Sequence, residues 1–175
     1  MAAESSNGKS PAATTHRDPV DWARHYWREQ KLGPGEDAFI AMSSVLRFHR
    51  IMSVSVEDEL KKHQLNLTDY MLLMTLQLSE TGTRLVSKLA RSLLVHATTA
   101  TLATDRLEGR GLLERSPHPS DRRATLVTIT AEGRALVTKA SKALAEFDYG
   151  LAGTSEQDRA ELVEVLARLR HDSGD

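Results

Sequence analysis

The chain has 175 residues, of which 40% are hydrophobic and 27% charged, a balance typical of a single globular domain. It contains no cysteine, which excludes a disulfide scaffold, a thiolate metal site and a cysteine-based redox switch. The first residues lack the apolar core of a signal peptide, and no apolar run approaches the length that spans a bilayer. We therefore expect a cytoplasmic protein with no membrane partner.

The charges are distributed unevenly, although the net charge is only −1. Eight basic residues and four acids lie between Arg84 and Arg123, whereas eight acids and three basic residues lie between Glu146 and Asp175. A basic middle and an acidic end are the pattern expected if one face of the molecule meets a polyanion.

The N-terminal part of the sequence predicts a disordered arm followed by a short helix. Residues 1–17 are small and polar and show no periodicity. Asp18 is a good helix cap and Pro19 suits a first turn, so a helix is expected to begin there. The glycines and proline that follow Leu32 end it, which makes residues 18–35 a short helix and a hinge.

A long helix is predicted at about residues 36–62, because apolar residues recur there every three or four positions over seven turns. A helix of this length exceeds what a small domain needs for its own core. We therefore expect residues 36–63 to pack against a second copy of the chain. Two more helices are predicted, at about residues 131–149 and 155–170. The last of these is expected to open with a capping box formed by Thr154 and Gln157.

Residues 66–130 predict three shorter helices and a β-hairpin. The second of these helices is expected at about residues 84–92 and the third at about residues 97–108, with Ala100, Ala103 and Leu107 facing inward. A hairpin follows, with two prolines and two arginines at its tip and β-branched residues in its second strand. The fold expected for the chain is mostly α with a small β-hairpin.

Two short helices followed by an arginine-tipped hairpin are typical of a winged helix–turn–helix. The second helix is narrow enough for the major groove of DNA, where threonine hydroxyls can approach base edges and phosphates. Arg122 and Arg123 at the hairpin tip suit the negative potential of a narrow minor groove. The pattern predicts a protein that binds double-stranded DNA.

Six segments carry a more specific signal: LARSL at 89–93, TTAT at 98–101, DRLE at 105–108, GLLER at 111–115, PSDRRA at 119–124 and VTITAEG at 127–133. Together they resemble the MarR family of bacterial transcriptional regulators, over roughly residues 36–170. The resemblance implies a homodimer whose dimerisation helices are residues 36–63 and 131–170, with the first and last helices interlocked. It further implies that two recognition helices read a pseudo-palindromic operator. It also implies a pocket for a small effector between the dimerisation and DNA-binding lobes.

The resemblance assigns DNA-binding roles to four threonines of the recognition helix and one arginine of the wing, which are Thr98, Thr99, Thr101, Thr104 and Arg123. We expect three further residues of the helix and the hairpin to contact DNA, namely Arg106, His118 and Arg122. Asp121 matches the acid that orients the wing arginine, since a fixed carboxylate holds a long side chain in one rotamer. Asp105 is expected to pair with a nearby arginine rather than face DNA, because phosphates repel a carboxylate.

Aromatic and methionine side chains provide candidates for an effector pocket, namely Trp27, Phe48, His49, Met52, Tyr70 and Met74. The resemblance to the MarR family implies an effector that is commonly a phenolic or other aromatic acid, whose binding releases the DNA. The same residue types at helical spacing also form ordinary cores, so both interpretations stay open. No two of the seven histidines show metal-ligand spacing, and we expect neither a metal nor a cofactor.

Three functions remain after these considerations. The first is a dimeric repressor that a ligand releases from DNA, the second is a constitutive DNA-binding protein without a ligand, and the third is a winged-helix module that binds proteins. The sequence contains no GxGxxG, P-loop, HExxH or nucleophile-elbow motif, so we do not expect an enzyme.

Overall fold

The computed structural model describes residues 18–121 and 123–172. The chain divides into two compact units, one that ends at His49 and one that begins at Arg50. The arm predicted at residues 1–17 and the wing residue Arg122 lie outside the described residues. The prediction for each of them stays a prediction.

In the N-terminal unit, helix α1 spans Pro19–Glu29 and begins where the sequence predicts. The Asp18 carboxylate accepts a hydrogen bond from the Val20 backbone N–H at 2.8 Å, and Pro19 occupies the first helical position. Asp18 thereby satisfies one of the backbone donors that a helix leaves unpaired at its start.

The turn after α1 is held by an aromatic contact and an ion pair. The Trp27 indole N–H donates to the Gly33 carbonyl oxygen at 2.9 Å, and its ring centroid lies 5.1 Å from that of Phe39. Arg28 contacts Glu36 at 2.8 Å, and this hydrogen bond lowers the pKa of the Glu36 carboxyl. The predicted hinge is therefore a turn braced by side chains.

Helix α2 spans Glu36–Lys62, the range that apolar periodicity predicts. The elements that follow are α3 (Leu67–Gln77), β1 (Thr83–Leu85), α4 (Val86–Ser92), α5 (Ala97–Gly109), β2 (Leu113–Pro117), β3 (Thr125–Ile129), α6 (Ala131–Ala145), a 3₁₀ turn at Asp148–Gly150, and α7 (Glu156–Asp172). The described chain is mostly helical with one small sheet, as predicted.

The sheet has three antiparallel strands in the order β1, β3, β2. The hairpin of β2 and β3 confirms the prediction, with Arg115 opposite Val127. Strand β1 corrects it, because Thr83–Leu85 pairs with β3 where the sequence predicts the start of a helix. The Thr83 and Thr128 hydroxyls lie 2.8 Å apart across this pair, so β1 fixes the start of α4 to the base of the hairpin.

The core of the C-terminal unit is built mainly from leucine, valine and alanine side chains of α3, α5, α6 and the sheet. Tyr70 is buried among them, and its hydroxyl lies 2.9 Å from the Ser141 hydroxyl. Burial raises the pKa of Tyr70 to about 12, so this phenol is neutral at physiological pH. The packing fixes α3 against α6.

The last two helices differ from the sequence prediction at their ends. Helix α6 stops at Ala145, because a 3₁₀ turn with Asp148 and Tyr149 at positive φ follows it. The capping pair of α7 is Ser155 with Asp158, one residue beyond the pair expected. Asp158 accepts from the Ser155 N–H at 2.8 Å and from its hydroxyl at 2.7 Å, and these bonds lower the pKa of Asp158.

The described residues form neither a membrane-spanning helix nor a cluster of metal-ligating side chains. No helix in this part of the chain is long and apolar enough to cross a membrane. No cluster of three or more histidine, aspartate or glutamate side chains within residues 18–121 and 123–172 is arranged to hold a metal ion.

Candidate nucleic-acid interface

Helices α4 and α5 are joined by a tight turn that presents the start of α5. The Val95 N–H donates to the Ala90 carbonyl oxygen at 3.0 Å, and the Leu93 N–H donates to Leu89 at 2.9 Å. Leu94 adopts a φ of 52°, the left-handed conformation that such a turn requires and that glycine adopts most easily. The turn therefore forms without a glycine.

The N-terminus of α5 has no side-chain cap. His96 at the cap position makes no capping hydrogen bond, and the first turn contains no acidic residue. The first backbone N–H groups and the positive end of the helix dipole are therefore not neutralised locally. Such an end attracts anions, and phosphate is among those that bind there.

Helix α5 has one buried and one exposed face. Ala100, Ala103 and Leu107 are fully buried, as predicted. Thr98, Thr99 and Thr101 are exposed, which is compatible with the roles assigned to them.

The structure corrects the assignment of Thr104. This side chain is fully buried on the inner face of α5, and its hydroxyl donates to the Ala100 carbonyl oxygen at 2.7 Å. Because 3.6 residues form one turn, position 104 falls beside Ala100 and Leu107 rather than beside Thr98. Thr104 therefore belongs to the core and is not available to DNA at the outer face of α5.

Leu102 is the residue of the exposed face that the sequence prediction missed. Its side chain is 54% exposed, although leucine is normally buried. The helical period, applied to the predicted inner residues Ala100, Ala103 and Leu107, would have placed Leu102 on the outer face.

Arg115 of β2 connects the hairpin to α5. Its Nη2 atom lies 2.6 Å from Asp105 Oδ1, and its Nε atom lies 3.5 Å from Glu108 Oε2. The prediction that Asp105 pairs with an arginine agrees with this geometry. The contact neutralises two carboxylates of α5 and fixes the angle between the helix and the hairpin.

Two other arginines of the basic region are also bound within the protein. Arg106 Nη2 lies 2.7 Å from Asp69 Oδ1, and Asp69 is 4% exposed. Arg110 donates to the Gln64 carbonyl oxygen. Arg106 thus balances a buried carboxylate, and its predicted contact with DNA stays a prediction.

The remaining basic side chains of this region are exposed and form no salt bridge within residues 18–121 and 123–172; they are Arg84, Lys88, Arg91 and Arg123. Unlike Arg106 and Arg115, they present positive charge to solvent. A polyanion can therefore neutralise their charges without breaking a salt bridge within the described residues.

The tip of the hairpin is a compact turn. Asp121 Oδ1 accepts from the Arg123 backbone N–H at 3.0 Å, so in this structure the carboxylate orders the backbone of Arg123 rather than its guanidinium. His118 Nδ1 accepts from the Ser120 N–H at 3.3 Å, and His118 is half-buried. His118 is therefore engaged in forming the turn.

An open cleft lies between the hairpin and the start of α5. Its lining includes Thr101, Arg115 and Arg123, with Ser87 of α4 beside them. His118 lines a separate depression with Arg84 and Lys88. The structure thus brings Arg123 together with α5 and leaves His118 apart from them.

The candidate effector residues divide between the two units. Trp27, Phe48 and His49 belong to the N-terminal unit, whereas Met52, Tyr70 and Met74 belong to the other. Ser141 bonds the Tyr70 hydroxyl and also lies 3.5 Å from Met74 Sδ, so both side chains take part in internal packing.

Comparisons with known proteins give a consistent result. The family model of the MarR family matches residues 65–125. The structure of Sco5413, a MarR family transcriptional regulator from Streptomyces coelicolor, is 32% identical, covers 79% of this chain and 96% of its own, and has a TM-score of 0.73.

Two further matches extend the comparison. The HTH-type transcriptional regulator PrsX of Escherichia coli is 27% identical over 82% of this chain and 86% of its own length. A mutant MarR from E. coli complexed with operator DNA is 18% identical, covers 78% of this chain and 98% of its own, and has a TM-score of 0.67. At that identity the last match shows a shared fold.

Proposed function

This chain belongs to the MarR family of transcriptional regulators, and on that premise we propose that it binds an operator in double-stranded DNA as a homodimer and represses transcription. The observation that carries the proposal is the cleft at which Thr101 of α5 and Arg123 of the hairpin come together. A helix for the major groove and an arginine for the minor groove are thereby presented side by side.

The charge distribution supports DNA as the partner. Exposed basic side chains lie on β1, on α4 and at the hairpin tip, and the uncapped N-terminus of α5 adds positive potential. Lysine and arginine contacts to phosphate supply most of the non-specific affinity of DNA-binding proteins. Specificity then depends on the short side chains of the outer face of α5.

The proposal of a homodimer is supported by exposed apolar side chains on two helices. On α2, Phe39, Met42, Val45 and Leu46 are 39–61% exposed, and on α7, Val163 and Val165 are 63% and 43% exposed. Apolar stripes of this kind mark surfaces that another chain covers. A symmetric dimer would place two copies of α5 on the half-sites of a pseudo-palindrome.

We further propose that a small aromatic acid releases the protein from DNA. A ligand that binds preferentially to the form with the wrong spacing between recognition helices shifts the population away from the operator-bound form. A regulator of this kind works at the chromosome, and so in the cytoplasm. The contacts that Ser141 makes with Tyr70 and Met74 favour a second candidate, a constitutive DNA-binding protein in which these side chains pack against one another and bind no effector.

The experiment is a fluorescence anisotropy titration of DNA from upstream of the protein's own gene, with excess non-specific competitor and over a salt series. We expect binding that survives the competitor and weakens as salt rises. A compound that raises the melting temperature and also releases this DNA would distinguish the ligand-responsive repressor from the constitutive protein. The absence of binding at low salt would contradict both and favour a protein-binding module.

Arg123→Ala tests the hairpin in the same assay. The variant removes one phosphate or minor-groove contact per subunit, so binding should weaken and the salt slope should fall by about one for each half-site. Lys139→Ala is the control, since Lys139 is also exposed but lies on α6. If Arg123→Ala binds like wild type, or both variants weaken binding equally, the assignment of the hairpin is wrong.

A further inference from the structure

We propose that Leu102 reads the 5-methyl group of a thymine in each half-site of the operator; this inference rests on the proposed function. Methyl recognition would make Leu102 a specificity-determining residue.

Leu102 occupies the middle of the outer face of α5. The four buried residues of this helix are Ala100, Ala103, Thr104 and Leu107. At 100° per residue, the direction opposite to their mean passes between Leu102 and Asp105, with Thr98 one turn earlier. These three side chains form the ridge that would enter a groove first.

The charges beside Leu102 are neutralised within the protein. Asp105 is paired with Arg115 at 2.6 Å, and Arg106 is paired with Asp69 at 2.7 Å. The other exposed neighbours are threonines, and the Thr101 hydroxyl is bonded to the Ala97 carbonyl oxygen at 2.9 Å. An exposed helix normally carries free lysine or glutamate on its outer face, whereas this ridge presents the isobutyl group of Leu102 between threonine side chains and a carboxylate already paired with Arg115.

The chemistry of the major groove identifies the target. Thymine is the base whose major-groove edge carries a methyl group, whereas the other bases present hydrogen-bond donors and acceptors there. Leucine has neither a donor nor an acceptor in its side chain. An apolar contact with the methyl group therefore favours thymine over the other bases and gains free energy from removing both surfaces from water.

The test uses a duplex selected from a random pool by the wild-type protein. Each thymine of that duplex is replaced singly by deoxyuridine, which removes the methyl group and keeps the base pair. A single replacement, at one position in either half-site, should lower the affinity of the wild-type protein for the duplex about fourfold, the value expected for one buried methyl group. Replacement in both half-sites should lose roughly fifteenfold if the two contributions add.

Leu102→Ala should bind the thymine duplex more weakly than wild type and should not distinguish thymine from deoxyuridine at that position. Leu78→Ala is the matched control, because Leu78 is 76% exposed and caps α3; it should retain the wild-type response. Since Leu102 is exposed, its truncation should leave the thermal unfolding of the protein unchanged within a few degrees.

The outcomes separate this inference from the proposed function. A selected duplex that binds tightly but shows no response to any deoxyuridine overturns the role of Leu102 and leaves the DNA-binding function intact. An equal deoxyuridine response in wild type and Leu102→Ala also overturns it, and assigns the methyl contact to another side chain such as Thr98. Failure to enrich any duplex overturns the proposed function and this inference together.

Discussion

The threonines of α5 have different surroundings although they share one chemistry. Thr98 lies exposed on the outer face, whereas Thr104 is fully buried and donates its hydroxyl to the Ala100 carbonyl oxygen. Residue type alone indicates a polar surface for both. Whether a threonine lies in the core or on the outer face depends on its angular position relative to the buried residues of α5. The helical period gives that position from the sequence.

Replacing Thr104 and Thr98 by valine should separate stability from DNA binding. Thr104→Val preserves the shape of the side chain and removes one internal hydrogen bond. We therefore expect it to lower the free energy of unfolding by about 1 kcal/mol and to leave operator affinity unchanged. Thr98→Val should leave stability unchanged and weaken operator binding roughly two- to tenfold, the range for one hydrogen bond. Thermal denaturation and anisotropy titrations measure the two effects, and the opposite assignment of effects would contradict the structure.

Arg106 illustrates a basic residue whose charge serves the fold. Arg106→Ala would leave the buried Asp69 carboxylate without its partner, which should destabilise the protein by about 1–3 kcal/mol. Adding Asp69→Asn should recover part of that loss, because the amide carries no charge to desolvate. Arg91→Ala, an exposed control, should have little effect in chemical denaturation. Similar stabilities for Arg106→Ala and wild type would show that the pair contributes little.

At the scale of elements, the sequence was informative where the signal is local. Asp18 caps α1, seven turns of periodicity define α2, and β-branched residues predict β3. Strand β1 was missed because three residues are too few to show alternation, and its pairing with β3 is set by residues more than 40 positions away. The pairing of Arg115 with Asp105 likewise depends on tertiary geometry, although the need for an arginine partner could be anticipated.

Helix α6 packs closely against the base of the hairpin, and Gly133 permits this approach. A Cβ atom on Gly133 would overlap the Leu112 carbonyl oxygen and would lie 2.9 Å from the Ile129 side chain. Gly133→Ala should therefore reduce the free energy of unfolding by about 1–3 kcal/mol or more.

The matched control for this prediction is Gly109→Ala, since Gly109 is also helical and no atom lies within 4 Å of the added Cβ. It should be neutral or stabilising by about 0.5–1 kcal/mol. Urea denaturation of both variants gives the comparison. Equal stability of the two would contradict the packing of α6 described here.

For the whole molecule, the apolar surface of α7 leads to a prediction about assembly. Val163 is 63% exposed, and we propose that a second chain covers it. Val163→Glu would bury a charge in that interface and should convert the dimer to monomers. Because a monomer engages a single half-site, its operator affinity should fall by at least tenfold.

Sedimentation equilibrium measures the mass of wild type, Val163→Glu and Leu78→Glu. The last is a control at the end of α3, where Leu78 is 76% exposed, and it should remain dimeric. A monomeric wild type, or a Val163→Glu protein of dimeric mass, would contradict the proposed assembly.

The central claim is that α5 and the tip of the hairpin bind DNA together. Hydrogen–deuterium exchange of the protein with and without its selected duplex tests this claim most directly, because it reports which backbone segments the DNA covers. We predict slower exchange in peptides that contain residues 95–105 and 117–125, with little change in α7. Protection confined to other segments, with α5 exchanging as fast as in the DNA-free protein, would contradict the claim that α5 and the hairpin bind DNA.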